Sequence, residues 1–232
     1  MNKNIGYVVA GELTATAFLL IAVVGSGIAA ERLCGGNVGL ALLANAIVTG
    51  CALYPLIVCF APVSGAHMNP LVTVMAAYFG QMPWKAVPAH ITAQLFGAVI
   101  GVWVTHLMFD VPLLQTSAHV RTGPAQWVAE IVATVGLLGV ILRCHAYSIE
   151  ATAKAVALYI TGAYWFTAST SFANPAVTVA RALTDTFAGI RPGTSAGRMF
   201  RGSFSRSVSA WAWCWSPARP QPSRCRPRNN RP

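Results

Sequence analysis

Ser64-Gly65-Ala66-His67-Met68-Asn69-Pro70-Leu71-Val72-Thr73 is an apolar stretch broken by a small polar turn and restarted by Asn-Pro. Asn is a strong helix N-cap and Pro is favoured at the first helical position, so Asn69-Pro70 starts a helix. At about 1.5 Å per residue, residues 69–79 rise about 15 Å, half of a hydrocarbon core about 30 Å thick. Met by itself, one Asn-Pro in an apolar segment reads as a kinked helix. The chain carries a second, Ser171-Phe172-Ala173-Asn174-Pro175-Ala176-Val177-Thr178, and both share Asn-Pro-x-Val-Thr. Two such breaks in matched places favour a pair of re-entrant half-helices over two kinks.

The surroundings of the two motifs match as well. Gly11-Glu12-Leu13-Thr14-Ala15-Thr16 opens one half and Ala129-Glu130-Ile131-Val132-Ala133-Thr134 the other. Apolar runs about 5–30, 38–60, 85–109, 125–143 and 151–168 are long enough for spanning helices. The pieces after the second and fifth runs are too short to cross and too apolar for ordinary loops. An odd number of spans per half inverts the halves about an axis in the membrane plane, and paired interrupted segments then mark the transport site. The expected fold class is all-α: a polytopic membrane protein, an inverted repeat with two re-entrant half-helices, its last span missing or altered. Residues 1–190 form the channel domain (halves about 1–110 and 124–190), and 191–232 a separate tail.

Composition agrees. The chain of 232 residues is 55% hydrophobic and 9% charged, against about 25% charged in soluble domains. Its net charge of +10 misleads. Residues 1–190 hold seven Lys or Arg and six acids, whereas 191–232 hold nine Arg and no acid. The membrane-like body is nearly neutral, so nucleic acid is not expected as a partner. Lys3, Lys85, Arg143 and Lys154 fall at one end of the expected spans, Arg32 and Arg121 at the other, which places the N-terminus in the cytoplasm of a cell membrane. The six cysteines show neither metal spacing nor a disulfide framework. No nucleophile–base pairing or phosphate loop stands out, so neither an enzyme, a cofactor nor a metal is expected.

Two half-helices entering from opposite faces meet at the midplane. Their N-termini each carry roughly half a positive charge, which opposes cations and protons, and each Asn amide offers N–H donors to the lumen. The irregular backbone at 64–67 and 171–173 is tolerated at that depth where it lines a pore with carbonyls. The expected activity is passive passage of small uncharged solutes. A secondary transporter also uses inverted repeats, but only Glu12 and Glu130 would serve a coupling ion. A structural role for both, accepting hydrogen bonds from re-entrant backbone, is preferred to a proton relay. His67 reads as packing behind the first re-entrant turn rather than as a pH gate.

On these residues the chain resembles the aquaporins and aquaglyceroporins, the major intrinsic proteins. Ser64-Gly65-Ala66-His67-Met68-Asn69-Pro70 is similar to the family's first signature and Asn174-Pro175-Ala176 to its second, with Leu71 in place of the usual Ala. The resemblance covers about residues 5–190 and implies a homotetramer in a lipid bilayer with one pore per subunit. It also implies a constriction on the outer side, transferred without gaps to Thr49, Gly162, Ser171 and Val177. Water-selective members carry an aromatic residue, a His and an Arg at three of those places. Thr, Gly and Val imply a wider opening for glycerol-like polyols, water, urea or arsenite, and bacterial members with Val after Asn-Pro-Ala are associated with arsenic handling. Arg181 has two readings. One turn (about 5.4 Å) beyond Val177 it is a vestibule candidate; four residues before Asp185 it is an i,i+4 partner, and the spacing favours the pair.

The tail does not fit the resemblance, which implies a sixth span after Ile190. Residues 191–232 carry nine Arg and no charge-free run longer than the twelve residues 207–218. Out-of-frame translation is the favoured reading, with a lipid-binding basic tail and an assembled artefact as alternatives. Under the first, another reading frame of the gene encodes about 20 apolar residues here, and the chain is a poorly folding remnant.

Overall fold

The computed structural model describes residues 5–121 and 123–192. The expectations for the tail, apart from Arg191 and Pro192, lie outside the described residues.

Among those residues the chain is all helix and loop. Helix α1 spans Ile5–Leu33, α2 Val38–Phe60, α3 Pro70–Tyr78, α4 Val87–Met108 (entered through a 3-10 turn at Trp84–Ala86), α5 Pro124–His145, α6 Ile149–Phe166 and α7 Pro175–Arg181. Local chemistry sets the starts. Asn37 and Ser148 accept hydrogen bonds from the amides of Leu40 and Ala151, capping α2 and α6. Proline occupies the first turn of α3, α4, α5 and α7, where its missing N–H leaves nothing unpaired.

Four segments, Ile5–Leu33, Val38–Phe60, Trp84–Met108 and Pro124–His145, are long and apolar enough to cross a membrane. The fifth expected span is the eighteen-residue α6, about 27 Å long. Its first two turns carry the exposed Glu150–Lys154 pair, 2.6 Å apart. Large side chains such as Phe96, Leu107 and Leu158 are exposed around the outside, which suits lipid rather than water.

The core is built on α1, which packs between α2 and α4. Its approach to α4 is close because Gly97 and Gly101 face it. A Cβ on Gly97 would lie 2.2 Å from the Leu13 carbonyl oxygen, and one on Gly101 2.4 Å from that of Ala17. This is a small-x-x-x-small seam of the kind that joins helices in lipid, where packing must replace the hydrophobic effect. A buried amide adds to the α1–α2 contact: Asn45 Nδ2 donates to the Val23 carbonyl at 2.8 Å and to Ser26 Oγ at 2.8 Å.

α3 and α7 are the half-helices. α3 runs back toward the end at which α2 left off and meets the Trp84 turn. α7 runs back toward the opposite end, where Ser117 N donates to the Ala182 carbonyl. The second half-helix stops at Arg181, short of the continuation that an i,i+4 pair of Arg181 and Asp185 requires. Thr184, Asp185 and Thr186 end it, because their side chains bond elsewhere. Thr184 Oγ1 meets His106 Nε2 and Thr186 Oγ1, each at 2.9 Å, and Asp185 Oδ1 accepts from Ala118 N at 2.8 Å. The returning loop closes on the helix end through Ile190 N to the Arg181 carbonyl.

Candidate functional site

Each half-helix begins with an asparagine whose side chain works in two directions. Asn69 Oδ1 accepts from Leu71 N at 2.9 Å, and Asn174 Oδ1 from Ala176 N at 3.0 Å and Val177 N at 3.3 Å, capping α3 and α7. Across the site, Asn69 Nδ2 donates to the Ala173 carbonyl at 2.8 Å and Asn174 Nδ2 to the Met68 carbonyl at 2.7 Å. The arrangement is reciprocal: each asparagine binds the residue preceding the other. It uses one N–H of each amide and leaves the second for the cavity that both line. Pro70, Leu71, Pro175 and Ala176 form the first turns behind them; Pro70 and Ala176 are buried.

The approaches to the two caps share an unusual backbone. Ala66 and Met68 have φ of +50° and +48°; Ser171 and Ala173 have +53° and +38°. These are the third and first positions before each asparagine. Left-handed conformations at non-glycine residues cost about 1–3 kcal/mol each and persist only when the surroundings impose them. The surroundings here are two buried carboxylates. Glu12 accepts from Ser64 Oγ (2.8 Å), His67 N (2.9 Å), Met68 N (2.9 Å) and Gln94 Nε2 (2.7 Å). Glu130 accepts from Phe172 N at 2.8 Å and Ala173 N at 2.7 Å. In each half the carboxylate holds the two amides just before the asparagine. His67 lines the cavity beside the first turn rather than packing behind it; its Nδ1 lies 3.1 Å from Thr73 Oγ1 and its ring 5.6 Å from that of His90.

A cavity of about 900 Å³ runs past this junction. α2 contributes Thr49, Leu53 and Ile57, and α6 contributes Thr152, Val156, Ile160 and Tyr164, both stripes at every fourth residue. The re-entrant residues 64–68 and 171–173 supply the polar wall. Its lining also includes Lys85 and His145, at the end of the bundle where α4 begins and α5 ends, and Arg181 on α7.

Of the four transferred constriction residues, Thr49, Ser171 and Val177 line that cavity and are buried. Gly162 does not. It lies on the exposed face of α6, and the stripe facing inward places Tyr164 there instead. Counting twelve residues back from Asn174 ignores the extended segment between α6 and α7, which sets the register of α6 independently. Tyr164 OH lies 3.3 Å from Thr49 Oγ1, so the two polar groups share one rim.

The expected Arg181–Asp185 pair is not made. α7 ends at Arg181, so Asp185 is no longer one turn further along; its carboxylate instead faces Ala118 N and His119. Arg181 is buried, its Nε donates to the Ala188 carbonyl and its guanidinium carbon lies 4.9 Å from the Phe172 ring centre. On the loop before α5, Arg121 donates to Thr170 Oγ1 and the Phe187 carbonyl, each at 3.2 Å, and burial pulls its guanidinium below the ordinary arginine range.

Two further residues have structural roles to which the sequence reading gave no part. Gln94 ties Glu12 to Thr73, and the fully buried His106 bonds the Leu113 carbonyl and Thr184 at the far end. Their polarity inside α4 was the available signal, since a polar side chain within a span faces a partner.

Comparison with known proteins follows the same lines. The family model described as "Major intrinsic protein" matches residues 2–147. Aquaglyceroporin AqpS of Rhizobium meliloti (strain 1021) is 51% identical over 182 residues, 78% of this chain and 78% of that protein. The probable aquaporin NIP7-1 of Arabidopsis thaliana is 38% identical over 108 residues, 45% of this chain and 38% of that protein. Among solved structures, the aquaglyceroporin from Plasmodium falciparum superposes with a TM-score of 0.61 at 23% identity, covering 90% of this chain and 83% of that one, a likeness of fold.

Proposed function

The chain belongs to the major intrinsic protein family, and from that premise we propose that it is a passive membrane channel whose pore is the cavity past Asn69 and Asn174. Water and glycerol-like polyols are its solutes. The observation that carries this reading is the reciprocal bonding of the two asparagines, which fixes two amide donors beside one passage. A neutral solute exchanges its water for those donors and for re-entrant carbonyls while its carbon side follows the apolar stripes of α2 and α6. A cation gains nothing from N–H donors and stays hydrated outside.

The N-terminus lies in the cytoplasm, so Lys85 and His145 mark the inner mouth and Val177 the outer one. Because Val177 is short, the outer rim takes solutes larger than water, and arsenite, a neutral trihydroxy species, is within its range. The assembly is a homotetramer in the plasma membrane. Residues 1–190 form the channel, its halves about 1–110 and 124–190.

A secondary transporter needs a carboxylate free to exchange a coupling ion. Glu12 already accepts four hydrogen bonds and Glu130 two, which favours the channel. The test is stopped-flow swelling of proteoliposomes holding the full chain, with water, glycerol and arsenite as permeants. Flux that follows the solute gradient alone, indifferent to proton and sodium gradients, supports the channel; absence of flux, or flux that needs an ion gradient, removes it.

A further inference from the structure

The two approaches to the asparagines run in register. Counting back from Asn69 and Asn174, Ser64 pairs with Ser169, Gly65 with Thr170, Ala66 with Ser171, His67 with Phe172 and Met68 with Ala173. The backbone repeats as well: Gly65 has φ of +100° and Thr170 of +61°, Ala66 of +50° and Ser171 of +53°. One position breaks the match. Where the first approach turns left-handed on a glycine, which does so freely, the second turns on a threonine, whose branched Cβ opposes that conformation. Thr170 therefore needs something outside itself to hold it.

The first approach is held from within. Ser64 Oγ donates to Glu12 at 2.8 Å and accepts from Ala66 N at 3.2 Å, so the grip of the carboxylate extends past His67 and Met68 to the start of the turn. Among the described residues Ser169 holds no amide in this way, and the backbone amides that Glu130 holds are those of Phe172 and Ala173. The hold on Thr170 comes instead from the α4–α5 loop. Arg121 Nη1 donates to Thr170 Oγ1 and Nη2 to the Phe187 carbonyl, each at 3.2 Å. Phe187 N in turn donates to Glu31 Oε2 on α1 at 3.1 Å, which braces the guanidinium fork against the bundle. Thr170 itself stays out of the cavity lining, whose second re-entrant part begins with Ser171.

We infer that Arg121 is a positioning residue of the channel: from outside the passage it clamps Thr170 in the left-handed conformation and so sets where Ser171 stands. This rests on the channel reading above. Arg121 touches no solute and acts through the backbone, doing for the second half what Gly65 does by lacking a side chain. Without the fork, Thr170 relaxes toward the negative φ that its branched Cβ favours, and the peptide of Ser171 turns with it.

The test uses the full chain in proteoliposomes, with glycerol and erythritol swelling as readouts. Arg121→Ala lowers glycerol flux about tenfold, the shift in population that one unclamped left-handed residue implies, and changes the glycerol-to-erythritol ratio. Thr170→Gly alone stays within about twofold of the unmutated chain, because glycine adopts the turn without help. Arg121→Ala combined with Thr170→Gly regains the flux and the ratio of the unmutated chain; a general loss of folding at Arg121 would not be repaired at Thr170. Where Arg121→Ala alone does not fold, the same pair is compared by size-exclusion chromatography, and recovery of monodisperse protein by Thr170→Gly supports the inference. A folded Arg121→Ala with flux and ratio both unchanged, or a double variant no better than Arg121→Ala in flux or in folding, overturns the inference and leaves the channel reading intact. No solute flux in the unmutated chain removes both.

Discussion

Replacing Glu12 by Gln tests how the first re-entrant turn is held. The carboxylate accepts four hydrogen bonds, two of them from the amides of His67 and Met68, within a site that is wholly buried. Glutamine keeps the shape but turns one acceptor into a donor. Gln94 can answer by rotating its amide, because its Oε1 is buried and unpartnered. That leaves one backbone N–H facing another donor, at about 1–3 kcal/mol, while the remaining bonds lose their charge assistance at about 0.5–1 kcal/mol each. The expected loss is about 2.5–6 kcal/mol, or a fall of roughly 5–24 °C in apparent melting temperature for a chain of this size. The left-handed Ala66 and Met68 then lose their clamp, and glycerol flux falls with stability. The assay is thermal unfolding of the purified protein in detergent, paired with swelling at several pH values. A variant that melts within 1 °C of the parent refutes the reasoning. A proton relay would instead leave the melting temperature alone and change only how flux responds to pH.

Asn174→Ala removes the α7 cap, about 0.5–2 kcal/mol, and strands the Met68 carbonyl at about 1–3 kcal/mol, so swelling in glycerol should be abolished and unfolding should come earlier. Gly97→Leu drives a side chain into the Leu13 carbonyl and should yield aggregated protein on size-exclusion chromatography; a monodisperse peak would contradict the close α1–α4 approach. Gly162→Ala should raise stability by about 0.5–1 kcal/mol, since the added methyl meets only the Phe166 ring at ordinary contact distance, and should leave solute ranking unchanged. Tyr164→Phe, by contrast, deletes a hydroxyl from the rim and should alter the glycerol-to-water ratio at unchanged melting temperature.

Much of the architecture is written in local residue order. The apolar runs set the helices to within a few residues, and Asn69-Pro70 and Asn174-Pro175 start the half-helices because capping is an interaction within one turn of chain. The matched Glu12 and Glu130 were legible too, as lone acids in apolar runs that must find donors. What sequence spacing misplaced was register across irregular backbone. Gly162 was counted through the segment 167–173, whose left-handed residues break any fixed rise per residue, and Tyr164 took its place. Arg181 was paired with Asp185 on the assumption of a continuing helix, yet the helix ended where the threonine and aspartate side chains found partners on the α4–α5 loop and on His106. Those partners lie about seventy residues away in the chain and no local pattern announces them. The sequence alone thus determined where helices begin and which faces are apolar, since both depend on neighbours within a turn. The tertiary structure alone decided which asparagine amide meets which carbonyl, where α7 stops and where the Arg181 guanidinium rests, because each depends on contacts between segments that only folding brings together.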